Sequence, residues 1–83
     1  MKLELECKIN TIEKVKMFAD IATQCKTADI VVMSDKYIVD GKSVLGLFSL
    51  DITSKVTVTI ESKSETEIDT FYSNIKKAGC LIE

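Results

Sequence analysis

Ile30-Val31-Val32-Met33-Ser34-Asp35-Lys36-Tyr37-Ile38-Val39-Asp40-Gly41 holds two apolar runs separated by a polar turn. Ile30–Met33 and Tyr37–Val39 are rich in β-branched and aromatic residues, which suit a pleated surface. Ser34-Asp35 is turn chemistry and Asp40-Gly41 closes the stretch, so it predicts two strands joined as a hairpin. That hairpin decides the fold class. A parallel, doubly wound sheet needs a crossover connection between successive strands and has no place for a tight turn there.

Upstream, Leu3, Leu5, Cys7 and Ile9 alternate with Lys2, Glu4, Glu6, Lys8 and Asn10, a period of two that predicts a half-buried first strand. Asn10-Thr11-Ile12-Glu13 resembles a capping box at a helix start. Ile12, Val15, Phe18, Ala22 and Cys25 then recur every three or four residues, giving one apolar face to a helix over about residues 11–25.

Downstream, Ser43 can cap a short helix over Val44–Leu50. At 100° per residue, Val44, Leu45 and Phe48 share one arc, while Leu47 and Leu50 lie opposite. So short a helix cannot bury both groups against one sheet, and one group is expected to face outward. Val56, Val58 and Ile60 alternate with Lys55, Thr57, Thr59 and Glu61 as a fourth strand. Ser64-Glu65-Thr66-Glu67 forms a second capping box. Ile68, Phe71 and Ile75 mark the inner face of a last helix, Gly79 ends it, and Cys80-Leu81-Ile82 is a short apolar tail. The order β-α-β-β-α-β-α predicts an α+β fold, a four-stranded antiparallel sheet with three helices on one face.

The 83 residues suit one domain, taken as 1–83. The net charge of −2 comes from 13 acidic residues and 11 basic ones, all lysine. Direct nucleic-acid binding is not expected without excess positive charge or an arginine fork. The longest apolar run lies within Val44–Leu50, far below the roughly 20 residues of a membrane span, and Met1-Lys2-Leu3-Glu4 has no signal-peptide core. A cytoplasmic protein without membrane contact is the expectation. Cys7, Cys25 and Cys80 show no metal-ligand or redox spacing and read as small reduced core residues.

No histidine is present, so histidine catalysis and histidine phosphorylation are excluded. No metal site or cofactor is expected. Gly41-Lys42-Ser43 looks like the end of a phosphate-binding loop, but the glycine that loop needs upstream is Lys36. Glu61, Glu65, Glu67 and Asp69 surround a helix start, where acidic side chains complement the dipole.

Lys42-Ser43-Val44-Leu45-Gly46-Leu47-Phe48-Ser49-Leu50, together with the element order, resembles HPr, the small phosphocarrier of the bacterial sugar phosphotransferase system. The resemblance implies an open-faced β-sandwich. It implies that Ser43 matches a regulatory phosphorylation site, and that Val44, Leu45 and Phe48, with Lys42 beside them, match the surface docking on protein partners. It also locates what is missing. The family's phosphate-accepting histidine opens the first helix with an arginine nearby; here the corresponding positions are Thr11, Ile12 and Glu13, and Glu13 opposes an incoming phosphate. The resemblance therefore points to a non-catalytic regulatory protein whose partners are phosphotransferase-system components, a serine kinase or a transcription regulator. An adaptor domain of the same fold, binding an unrelated partner without phosphorylation, is the alternative. Ser43 as a plain N-cap stands beside the phosphorylation reading.

Overall fold

The computed structural model describes residues 1–35 and 37–82. Its elements are β1 (Lys2–Cys7), α1 (Ile12–Gln24), β2 (Asp29–Ser34), β3 (Tyr37–Asp40), α2 (Val44–Phe48), β4 (Val56–Glu61) and α3 (Glu65–Lys77). The strands form one antiparallel sheet in the order β1-β4-β2-β3. β4 is thus paired on both sides, with Val58 opposite Leu5 of β1 and Val32 of β2.

Alternation along the strands turns Leu5, Cys7, Ile30, Val32, Val56, Val58 and Ile60 toward a single core. α1 brings Val15, Phe18, Ala19 and Ala22 to it, α2 brings Leu47, and α3 brings Ile68, Phe71 and Ile75. Phe18 and Phe71 meet edge to face, centroids 6.0 Å apart at 85°. Such a pair is worth about 0.5–1.5 kcal/mol beyond the area it buries, and here it ties α1 to α3. The α+β architecture and element order expected from the sequence are those of the structure.

Several local expectations need correction. Thr11, not Asn10, is the N-cap of α1, and its hydroxyl accepts the Lys14 N–H at 3.1 Å. The residue three beyond Thr11 is Lys14 rather than Glu, so no capping box forms and Glu13 sits in the first turn. Ile12 does not join the apolar face; it is 62% exposed, because that face centres on Val15, Phe18, Ala19 and Ala22 and leaves a first-turn residue at its edge. α2 ends at Phe48 rather than Leu50. Ser49 and Leu50 donate their N–H groups three residues back, to Gly46 and Leu47, which tightens the last turn. Beyond α3, the apolar tail is paired: Leu81 bridges Cys7, and Lys8 N–H to Cys80 O and Ile82 N–H to Glu6 O fasten it along the outer edge of β1.

The second capping box is relayed. Ser64 Oγ accepts the Glu67 N–H, as expected, but the Glu67 carboxylate does not return to Ser64. It accepts from Ser62 Oγ at 2.9 Å, and Ser62 Oγ in turn accepts the Ser64 N–H. Glu67 also takes the Thr27 hydroxyl at 2.8 Å. This hydrogen bond first, then that of Ser62, holds the Glu67 carboxyl below its usual range. The cluster joins the α1–β2 connection to the start of α3.

Gly79 has φ +75°, and the end of α3 is a Schellman motif: Cys80 N–H reaches Ile75 O and Gly79 N–H reaches Lys76 O. Gly79→Ala is expected to cost about 1–2 kcal/mol, the strain of an alanine in the left-handed region, read as a lower urea midpoint at unchanged slope.

All three cysteines are buried and free. Burial above all, with neighbouring Cys80 adding to it, pushes the Cys7 thiol from 9.0 up to about 12. Below about pH 8 neither folded nor unfolded Cys7 is ionised, so it contributes no pH dependence. Between 9 and 12 the unfolded chain sheds a proton that the folded chain keeps, and stability falls as pH rises. Iodoacetamide at pH 8 should therefore label Cys7 in urea but leave it intact in the native protein, which holds about a thousandfold less thiolate.

Candidate docking surface on the second helix

The hairpin ends by Gly41 N–H donating to Ile30 O at 2.8 Å. A Cβ on Gly41 would lie 2.5 Å from Ile30 Cγ2, so this close approach requires glycine. Asp40 then accepts the Lys42 N–H on its side chain (2.9 Å) and the Ser43 N–H on its carbonyl (3.1 Å). These two bonds deliver Ser43 in extended conformation (φ −98°, ψ 109°) to the start of α2, where its Oγ accepts the Gly46 N–H at 3.0 Å.

α2 lies close on β3. A Cβ on Gly46 would stand 3.4 Å from Val39 Cβ and 3.2 Å from Ser43 Oγ. With that approach made, Leu47 and Leu50 go into the core. Val44 and Phe48 remain about two-fifths exposed, at 38% and 39%, and Leu45 at 84% is the most exposed large apolar residue described. The helix therefore divides along the two arcs read from its sequence. Ser43 is partly exposed, with its hydroxyl engaged in the cap. Lys42 is half-buried, and its charge reaches Glu67.

Thr11, Ile12 and Glu13 open α1 and are all exposed. α1 and α2 pack on each other, so both stretches lie on the helical layer of the molecule. Val44, Leu45 and Phe48 come together on one five-residue helix with Ser43 as its N-cap, whereas Thr11–Glu13 present a hydroxyl engaged in capping, an isoleucine side chain and a carboxylate. Among the described residues no group of three or more Cys, Asp or Glu could hold a metal ion, and no helix is long and apolar enough to cross a membrane.

Sequence reading missed a second exposed apolar region. Val31 and Met33 of β2 and Tyr37 and Ile38 of β3 are exposed, whereas the sequence predicts two strands and assigns neither an outward apolar side. The signal was present: Ile30-Val31-Val32-Met33 is apolar without alternation, and the described helices all lie on one face of the sheet.

A family model described as "PTS HPr component phosphorylation site" matches residues 13–75. The solved structures that resemble this fold include an HPr-C-His from Thermoanaerobacter tengcongensis, 21% identical over 94% of this chain and 93% of that one, with TM-score 0.68. The histidine-containing phosphocarrier protein of Mycoplasma is 11% identical over 100% of both chains, with TM-score 0.74. A phosphocarrier protein HPr from Bacillus anthracis is 23% identical over 88% of this chain and 95% of that one, with TM-score 0.65. At these identities the likeness is one of fold. No curated protein matches the chain.

The capping geometry gives a direct test. Ser43→Ala should lower stability by about 1 kcal/mol, measured by urea unfolding, while Ser43→Asp, which keeps an acceptor for the Gly46 N–H, should lose less.

Proposed function

The chain belongs to the HPr family of the phosphotransferase system, and from that premise we propose that it is a non-catalytic regulatory member that works by protein–protein contact in the cytoplasm. The observation that carries the reading is the division of α2. Leu47 and Leu50 anchor it, and Val44, Leu45 and Phe48 are left outside next to the capping Ser43. The chain has no histidine and no arginine with which to carry a phosphoryl group. What persists is the means to bind.

Ser43 is the switch in this reading. A phosphate on its Oγ adds about −1.5 to −2 charge beside the backbone N–H groups that a helix start leaves without intrahelical partners. It does so next to the apolar surface, changing what that surface accepts without unfolding α2. Lys42 supplies the neighbouring positive charge. The partners that fit are other phosphotransferase-system proteins, the serine kinase that writes the mark and a transcription regulator that reads it.

Incubation with the HPr serine kinase and ATP should add one phosphate to the intact protein, located at Ser43 by fragment mass spectrometry and absent in Ser43→Ala. No incorporation into folded protein sinks the switch. Phe48→Asp should abolish recovery of phosphotransferase-system partners in a pull-down; identical recovery by mutant and parent removes the surface from the reading.

A further inference from the structure

The sheet's second face carries an apolar stripe that nothing among the described residues covers. Alternation sends Ile30 and Val32 inward and Val31 and Met33 outward. Met33 stands opposite Ile38 in the hairpin register. Val31, Met33 and Ile38 are 36%, 39% and 65% exposed and adjoin one another across two strands. The next strand over shows threonines, Thr57 and Thr59, on the same face.

Carboxylates rim the stripe at one end. Asp29 and Glu61 are directly opposite each other in the β2–β4 register, Glu4 is opposite Thr59, and Asp40 is opposite Val31. Asp29, Asp40, Glu61, Val31, Ile38 and Lys42 together line a concavity of about 530 Å³. Lys2 stands across from Glu61 on β1, and Lys55 meets Glu6 at 3.9 Å. Lys2 lines the same hollow as Asp29 and Glu61 and partly offsets them, while Glu4 and Asp40 keep the rim's balance negative. Like charges placed directly across a sheet work against strand pairing, and a local conflict that folding does not need marks a surface serving something else.

We infer that this face docks a basic, amphipathic helical segment of another protein. Val31 and Met33 are two strand residues apart, roughly 7 Å. An i, i+4 apolar pair on a helix rises roughly 6 Å, so one such pair spans the stripe. Lysines or arginines on the flanks of that helix then lie over Asp29, Glu61 and Glu4. A second copy of this chain does not fit, because the same acidic rim and a net charge of −2 would repel it. An anionic lipid surface is repelled for the same reason. The inference concerns the face opposite the helices and does not depend on Ser43.

The test is an NMR titration of the 15N-labelled protein with a synthetic peptide of about 18 residues, leucine at helical i, i+3, i+4, i+7 spacing and lysine elsewhere. Saturable shifts should appear at residues 29–33, 37–40 and 59–61, and the Kd should weaken at least about tenfold between roughly 0.05 and 0.3 M salt. Ile38→Lys should weaken binding about tenfold or more. Asp29→Asn with Glu61→Gln should weaken it as well, without lowering the urea midpoint, which separates lost docking from lost folding. Several results would overturn the inference: shifts confined to Val44, Leu45 and Phe48; equal affinity for a control peptide with glutamate in place of lysine; no saturable shift; or sedimentation showing that the protein self-associates through this face until Ile38→Lys is introduced.

Discussion

The double pairing of β4 is the constraint on which the rest of the structure depends. Its register with β1 and β2 puts Val56, Val58 and Ile60 between the inward residues of both neighbours. A slip of one residue on either side would turn three core side chains to solvent and bring Thr57 and Thr59 inside. Because β4 comes late in the chain, the first strand has no partner until the fourth is made. The tail at Cys80–Ile82 then binds the outer edge of β1 and covers backbone groups that would otherwise be open to another strand.

A second link holds the helical layer in step with the sheet. Glu67 accepts from Thr27, ahead of β2, and from Ser62, behind β4, while Ser62 receives the Ser64 N–H. One carboxylate on α3 thus joins two connections, α1–β2 and β4–α3. Phe18 against Phe71 makes the matching apolar tie between α1 and α3. With these elements fixed, α2 needs little of its own to be well placed: Asp40 sets its entry, Gly46 allows it onto Val39, and Leu47 with Leu50 hold it there. Its outward side follows from that anchoring, since residues on one arc cannot turn inward while the other arc is in the core. The outward apolar side of α2 is in this sense a geometric by-product of how the helix is anchored.

Chemistry on this scaffold is limited by what the chain contains. It has no histidine, and all its basic side chains are lysine, so it offers neither an imidazole nor a guanidinium fork. The start of α1 offers Thr11, whose hydroxyl is engaged in capping, and the carboxylate of Glu13. The thiols are buried, and Cys7 is held far from its thiolate form. The proposed role therefore rests on surfaces, the α2 side with its capping serine and the uncovered face of the sheet, which are apolar in different settings. The first lies beside a hydroxyl and a lysine; the second is rimmed by carboxylates.

Much of the fold was legible because its signals are local. Alternation in Leu3–Ile9 and Val56–Ile60, the hairpin turn at Ser34-Asp35, the helical spacing of Ile68, Phe71 and Ile75, and Gly79 past the end of α3 each act over a few residues. The two arcs of α2 were legible for the same reason. What misled was also local evidence that a longer-range partner overruled. Asn10 and Glu13 had capping-box spacing, yet the helix begins one residue later, at the cap that Thr11 supplies. Ser64 and Glu67 had it too, yet the carboxylate went to Ser62 and Thr27, the latter forty residues away in sequence. Ile12 fitted the apolar period but lies at the edge of the face its neighbours bury. By itself the sequence determined the element types and their order, the exclusion of histidine chemistry, and which α2 side chains could share a side. Only the tertiary structure decided that Leu47 and Leu50 go in while Leu45 stays out, that Glu67 ties two connections together, and that Val31, Met33 and Ile38 lie on a face that none of the described residues covers. The reason is that periodicity shows which side chains lie together, whereas burial depends on which side of the sheet the helices occupy, and that is settled by packing across the whole chain.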